Sequence, residues 1–217
     1  MKGKFSRIKY VITACAVLFC TAFLAGCTSE IELELKKDGS VDVKFTGSAG
    51  NAFASLISAG TSASGATNVI FDTKEIEYEM AGNGFSNVKA ASKKGADLTV
   101  TMTDKNGKSA LFTSGVVSVQ NGELSAALSP QSLKDFYNSA DSQTVQFLDM
   151  LLSPVFNDEK MTQEEYIELL ASFYGDEIAN EIAQSNFRIT LKNPDGTRKV
   201  QSINFAKLLC LDEVIRF

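Results

Sequence analysis

The sequence contains no histidine and no tryptophan among its 217 residues, and only three prolines and four cysteines. Histidine is the usual base in serine and cysteine hydrolases and a frequent zinc ligand, so its absence excludes those sites in their common forms. Neither a Walker sequence nor GxGxxG occurs, which leaves no glycine-rich loop for a nucleotide phosphate. We therefore predict neither a metal nor a cofactor.

The four cysteines give no pattern of disulfide pairs. Cys15 and Cys20 lie in an apolar N-terminal segment, Cys27 follows that segment, and Cys210 stands alone in the run Leu-Leu-Cys-Leu. A lone thiol in such a run is far more often a small buried side chain than a nucleophile. We expect Cys210 to lie in the core.

The N-terminal segment has the order of a secretory signal. Residues 1–10 hold four basic residues and no acidic one, and residues 11–24 are nearly all apolar. A basic stretch, a short apolar run and a small-residue cleavage site are typical of a signal peptide. The alternative, a transmembrane anchor, is disfavoured because the run is shorter than the about 20 residues that cross a bilayer.

The sequence Leu24-Ala25-Gly26-Cys27 makes this prediction more specific. It matches the lipobox at all four positions, and the segment resembles a bacterial lipoprotein signal. The resemblance implies cleavage before Cys27, a diacylglyceryl group on the Cys27 sulfur and usually another acyl chain on the new amino terminus. Membrane lipid would then hold the chain firmly, because two or more acyl chains suffice for anchoring. An ordinary signal followed by an unmodified Cys27 is the remaining alternative.

The same resemblance predicts a location in the cell envelope. In the lipoproteins that this signal resembles, an Asp directly after the cysteine is typical of retention at the inner membrane. This chain has Thr28 at that position. The outer membrane is therefore favoured if the host has two membranes.

The predicted mature chain, residues 27–217, is acidic. Residues 1–26 hold four of the 21 basic residues and none of the 26 acidic ones, so the remainder has a formal charge of −9. This charge disfavours nucleic acid as a partner, because phosphates require a basic surface. It also provides no polybasic contact with anionic lipid. The acylated Cys27 would be the whole anchor.

Alternation of apolar and polar residues predicts a β-hairpin almost directly after Cys27. Its two strands must share an apolar face, which gives the register Leu35 opposite Val41, Leu33 opposite Val43 and Ile31 opposite Phe45. This register leaves a three-residue loop, 37–39, whose last position favours a left-handed residue, and Gly39 stands there.

Two Asn-Gly pairs, at 106–107 and 121–122, predict two further hairpins. The expected cross-strand pairs are Met102 with Leu111, Val119 with Leu124 and Val117 with Ala126. With strands over 85–91 and 96–103, these hairpins predict an antiparallel meander from about 85 to 128.

Helix-start signals divide the rest of the chain. The expected N-caps are Asp72, Ser129 and Thr162. Further helices are expected around Phe53–Ile57, over 142–152 and over 176–183, and residues 61–68 read as a flexible loop. A last hairpin over 187–205 is expected to join the sheet of the first. The order predicts one α+β domain over 27–217, with an antiparallel sheet built from hairpins and a helical insert at about 129–185 packed on one face.

Three classes of function remain open. We predict a non-catalytic, lipid-anchored envelope protein that binds a partner protein or presents a surface. An apolar-ligand or lipid carrier would use the 46–69 segment as a lid and the aromatic residues of the insert as a pocket wall. A carboxylate-dependent hydrolase would use Glu30, Glu32 and Glu34, which are about 6.6 Å apart along one strand face. A solvated strand face accounts for these glutamates more simply.

Overall fold

The computed structural model describes residues 28–52, 54–55, 71–93, 97–138, 157 and 159–217. Within them the strands are β1 (Thr28–Leu35), β2 (Val41–Ser48), β3 (Ser86–Ala91), β4 (Asp97–Asp104), β5 (Val117–Gln120), β6 (Glu123–Leu128), β7 (Asn186–Lys192), β8 (Arg198–Asn204) and β9 (Ile215–Arg216). The helices are α1 (Thr73–Gly82), α2 (Ala110–Thr113), α3 (Pro130–Tyr137), α4 (Gln163–Tyr174), α5 (Asp176–Gln184) and α6 (Phe205–Leu209). This content confirms the α+β class.

Some of the expected segments fall wholly or partly outside the described residues. The predicted helix over 142–152 and the loop over 61–68 lie outside, as do Phe53 and residues 56–60 of the expected earlier helix. Residues 51–52 and 54–55 are helical. Cys27 and the segment before it also lie outside.

The main sheet has six strands in the order β3-β4-β2-β1-β7-β8. The β1–β2 hairpin has the predicted register, with Leu33 opposite Val43 and Leu35 opposite Val41. Gly39 has φ +83°, as the last position of the three-residue loop requires. Strand β2 runs on to Ser48, three residues beyond the predicted strand end, and pairs along its whole length with β4.

The last hairpin, β7–β8, joins the same sheet as predicted, but through a parallel pairing of β7 with β1. The sheet is therefore not purely antiparallel. Helices α3, α4 and α5 lie in the chain between the two hairpins. A long connection of this kind allows the later strand to return in the direction of β1.

A smaller sheet has the order β5-β6-β9. Its hairpin confirms the second Asn-Gly prediction, with Val119 opposite Leu124, and Asn121 and Gly122 have φ of 54° and 80°. Two left-handed residues in succession are what a type I′ turn requires. The predicted meander over 85–128 is wrong, because β3 and β4 belong to the main sheet while β5 and β6 belong to the smaller one.

The predicted pairing of Met102 with Leu111 is also wrong. Leu111 lies in α2, and both edges of β4 are occupied, by β2 and by β3. The Asp104 carboxylate accepts backbone hydrogen bonds from Asn106 at 2.8 Å, Gly107 at 2.6 Å and Ser109 at 2.7 Å. These bonds fold residues 105–109 into a loop that leads into α2 instead of a hairpin turn.

The predicted helix starts are confirmed. Asp72 accepts hydrogen bonds from the backbone N–H groups of Lys74 and Glu75, and Thr162 forms a reciprocal capping box with Glu165. The Ser129 hydroxyl accepts a hydrogen bond from the Ser132 backbone N–H at the start of α3.

One hydrophobic cluster holds the fold together. It combines the apolar face of the main sheet, the smaller sheet and the buried sides of the helices. From the predicted insert it includes Leu133 of α3, Tyr166 and Leu170 of α4 and Ile182 of α5. The described part of the insert therefore packs on the apolar face of the sheet, and the other face is left polar.

Candidate functional site

The face of the main sheet that points away from the core is almost entirely polar, and we call it the polar face. Cross-strand registers arrange its residues in four rows of five. The rows are Asp97-Ser48-Thr28-Asn186-Asn204, Thr99-Thr46-Glu30-Arg188-Ser202, Thr101-Lys44-Glu32-Thr190-Val200 and Thr103-Asp42-Glu34-Lys192-Arg198. The row with Thr28 marks the near end, next in sequence to Cys27, and the row with Arg198 leads to the far end.

The three glutamates of the hydrolase hypothesis all lie on this face, on consecutive rows of β1. Glu30 accepts a hydrogen bond from the Thr190 hydroxyl at 3.2 Å, Glu32 forms an ion pair with Lys192 at 2.7 Å, and Glu34 is 2.6 Å from the Lys36 ammonium. Each carboxylate thus has a partner within the sheet, as the solvated strand face predicts.

Charges at the far end are tied to one another. The Lys36 ammonium contacts Asp42 at 3.4 Å as well as Glu34, and Asp42 also accepts a hydrogen bond from the Thr103 hydroxyl at 2.8 Å. The pKa of Lys36 is raised, chiefly by its hydrogen bond to Glu34.

In two loops at the far end, an aspartate side chain stabilises the turn that contains it. Asp38 accepts hydrogen bonds from the backbone N–H and hydroxyl of Ser40, and Asp195 does the same with Thr197. These bonds lower the pKa of both carboxyls, with the hydroxyl bond as the largest cause in each case.

Asp104 is the buried example, with 1 % of its surface exposed. Burial alone would raise the pKa of its carboxyl, but hydrogen bonds from Ser109, Asn106 and Gly107 outweigh burial and lower it. Its carboxylate is fully used in holding the loop.

The near end differs in that an exposed cation there borders an open depression, whereas Arg198 in the far-end row is also exposed and without a partner among the described residues but lines no part of it. Arg188 lies beside Glu30 in the parallel register and is exposed, yet within the described residues its guanidinium makes neither an ion pair nor a hydrogen bond. It borders an open depression of about 420 Å³. The polar residues that line this depression are Ser29, whose side chain is buried on the core face, and Glu30, Thr46, Ser48, Asp97, Thr99, Asn186, Arg188 and Ser202.

Two carboxylates share this depression with Arg188. Glu30 is engaged by Thr190, and Asp97 accepts hydrogen bonds from the Lys93 backbone N–H at 2.8 Å and the Ser92 hydroxyl at 3.4 Å. The near end therefore offers unoccupied guanidinium donors beside carboxylates and several hydroxyl groups.

The residues of the carrier hypothesis are only partly described. Tyr166 is buried in the core with 1 % exposure, whereas Phe173 on the same helix is 71 % exposed. Burial raises the pKa of Tyr166 well above its ordinary value. Phe147, Phe156 and most of the expected lid lie outside the described residues, as do the side chains of Phe136 and Tyr137.

Cys210 lies in the core, as predicted, and its thiol contacts the Ala206 carbonyl at 3.1 Å. Burial, and then the nearby Asp212 charge, raise the pKa of the thiol. A raised pKa leaves less thiolate, so the thiol has no activation as a nucleophile.

Within the residues described, no group of three or more His, Cys, Asp or Glu side chains lies close enough to hold a metal ion. No helix in the same part of the chain is long and apolar enough to span a membrane. Comparisons with known proteins give no match, since neither a family model, nor a curated protein, nor a solved structure is significantly similar to this chain.

Sequence reasoning missed the near-end depression. The signal for one of its strands was present, because Phe187, Ile189 and Leu191 alternate with polar residues and place Arg188 on the polar face. The missing information was the parallel pairing that sets Arg188 beside Glu30, since the two residues are far apart in the chain and no turn connects their strands.

Proposed function

We propose that the protein is a lipid-anchored cell-envelope protein whose α+β domain serves as a non-catalytic binding module. Acylated Cys27 would tie it to membrane lipid, on the outer membrane if the host has two membranes. The domain would bind another envelope protein or present a surface.

The observation that carries this proposal is the position of the lipobox cysteine relative to the fold. Strand β1 begins at Thr28, the residue after Cys27, and β1 lies in the middle of the main sheet between β2 and β7. The described domain thus begins directly after the predicted cleavage point. An acyl group on Cys27 would hold the near end of the sheet against the lipid surface, with no linker between them.

A consequence of this geometry is that the near end of the sheet is the end held at the membrane. Eight residues of β1 at about 3.3 Å each place the far-end loops about 25 Å from the near end. The far end and the sides of the sheet would face the envelope space, where a partner protein can reach them.

The anchor can be tested by expressing the full chain in a bacterium and measuring the mass of the mature protein. We expect an N-terminal Cys27 carrying diacylglycerol, globomycin-sensitive processing and recovery in the membrane fraction. Cys27→Ser should abolish the modification, while Cys20→Ala, which leaves the lipobox intact, should be processed normally. A mature N-terminus at another position, or processing that ignores globomycin, would contradict the proposal.

The binding role needs a separate experiment. After crosslinking in intact cells, the purified lipoprotein should carry one envelope protein in near-stoichiometric amount. Extraction and mass spectrometry of the same sample provide the comparison, because a co-purified apolar small molecule would favour the carrier instead. If any hydrolytic activity is detected, Glu30, Glu32 and Glu34 are replaced together by Gln. Unchanged turnover in this variant would exclude the hydrolase hypothesis.

A further inference from the structure

The near-end depression lies where an anchored domain meets the membrane. Ser29 borders it, and Ser29 is two residues from Cys27 in sequence. At about 3.3 Å per residue, a diacylglyceryl group on Cys27 would place this part of the polar face within about 10 Å of the lipid headgroups. This inference rests on the lipid anchor proposed above and goes beyond it to a ligand site.

The depression is lined by charged groups of both signs. The Arg188 guanidinium has five N–H donors in a planar fork, a geometry that matches phosphate oxygens in bidentate fashion. Within the described residues those donors have no partner. Glu30 supplies carboxylate oxygens on the strand beside Arg188, and Asp97 adds a second carboxylate on β4, three strands or about 14 Å from β7.

The balance of charge selects the ligand. One guanidinium and two carboxylates give the depression a formal charge of −1, and the mature chain as a whole is strongly acidic. A purely anionic headgroup would gain from Arg188 but be repelled by the surroundings. A headgroup with a phosphate and an ammonium would satisfy Arg188 and the adjacent Glu30 together, and the more distant Asp97 adds to the negative surroundings.

We propose that the near-end depression binds the zwitterionic phosphoethanolamine headgroup of a membrane lipid. Arg188 receives the phosphate, Glu30 on the neighbouring strand accepts from the ammonium, and the hydroxyls of Thr46 and Ser202 lie in the same row on either side of this pair. The depression, at about 420 Å³, is in the size range of small-ligand sites. The contact fixes the tilt of the domain on the membrane, since the single anchor at Cys27 leaves rotation free.

The test measures the accessibility of Arg188 in the lipidated protein. The processed full-length product is reconstituted into nanodiscs of phosphatidylcholine alone, or with phosphatidylethanolamine or phosphatidylglycerol added. Phenylglyoxal modification of Arg188 is then followed by peptide mass spectrometry. Arg198, on the same face two rows further from the anchor, is the internal control for reagent concentration and folding.

We expect Arg188 to react about tenfold more slowly, relative to Arg198, with phosphatidylethanolamine present than with phosphatidylcholine alone; this corresponds to a preference of about 1.4 kcal/mol. Phosphatidylcholine is the sharp comparison because its quaternary ammonium has the same charge but no N–H donor. Glu30→Gln, which retains an acceptor for Thr190, should reduce the difference between the two lipids.

Three results would overturn the proposal: equal Arg188 reactivity in phosphatidylethanolamine and phosphatidylcholine, greater protection by phosphatidylglycerol, or equal protection of Arg198. A missing acyl group in the intact mass would refute the lipid anchor itself. The mass is read before reconstitution, so the two failures are distinguishable.

Discussion

The two ends of the main sheet differ in how their charged side chains are placed. At the far end, Asp38, Asp104 and Asp195 each accept hydrogen bonds from their own loop, and Lys36 joins Glu34 and Asp42. At the near end, Arg188 is exposed and has no partner within the described residues. Arg198 in the far-end row is also exposed and without a partner in that part of the chain, so the difference lies in the far-end aspartates and Lys36, which are held by their own loops, and in the open depression that Arg188 borders.

This difference separates structure from function within one polar surface. A carboxylate that holds a turn contributes to folding, and its oxygens are already occupied by N–H and O–H donors. An exposed guanidinium with no carboxylate contact contributes little to folding but remains available to a ligand. Substitutions at the far end should therefore change stability, and substitutions at the near end should change binding.

The largest expected effect is at Asp104. Asp104→Ala removes the acceptor for three backbone N–H groups in a buried loop, so the free energy of unfolding should fall by about 2–4 kcal/mol. Urea unfolding of the purified protein, followed by circular dichroism, measures this change. A loss below about 0.5 kcal/mol would show that the loop does not depend on the carboxylate.

The same carboxyl gives a pH dependence. Because the folded state lowers the pKa of Asp104, its charge stabilises the protein fully above the unfolded value of about 3.9, and this stability is lost as pH falls through the folded pKa. Asp104→Asn keeps one acceptor oxygen but cannot ionise. The stability difference between wild type and Asp104→Asn should be constant from about pH 5 to 7 and shrink below about pH 4. A difference that grows towards acid pH would contradict the assigned direction.

Asp104 also explains why one Asn-Gly pair predicted a hairpin correctly and the other did not. Asn121-Gly122 joins β5 and β6, which pair with each other, so the backbone twist of the turn is sufficient to form the hairpin. Asn106-Gly107 follows Asp104, whose carboxylate binds the loop, and β4 is already paired on both sides. The dipeptide predicts a turn in both places. A hairpin after β4 is excluded because strands from elsewhere in the chain occupy both of its edges.

Local pattern sufficed where the partner was close in sequence. It predicted the β1–β2 register, the helix caps and the burial of Cys210, because alternation and capping act over a few residues. It did not predict the parallel β1–β7 pairing, and so it could not bring Arg188 next to Glu30. The glutamate ladder was visible in sequence, whereas the open site beside it depends on this long-range contact.

A smaller effect is expected at the far-end row of the polar face. Lys192 and Glu32 form an ion pair at 2.7 Å, and their side chains are 34 % and 28 % exposed. Lys192→Met removes this pair and should lower the free energy of unfolding by about 0.5–1 kcal/mol. The loss should decrease in high salt, because screening weakens a partly exposed pair. Urea titrations at low and high ionic strength test this, and Lys44→Met, on the same face and without an ion pair in the described residues, is the matched control. Equal losses in the two variants would mean that the pair contributes nothing of its own.

The smallest effect on stability is expected at the near end. Arg188→Gln removes an exposed charge that has no partner among the described residues, so the free energy of unfolding should change by less than about 0.5 kcal/mol. A destabilisation as large as that of Lys192→Met would show instead that Arg188 is part of the sheet's own charge balance, and the contrast between the two ends would fail. If stability is unchanged, the guanidinium is a group that folding does not require, which is the result expected if the depression is a ligand site, as proposed above.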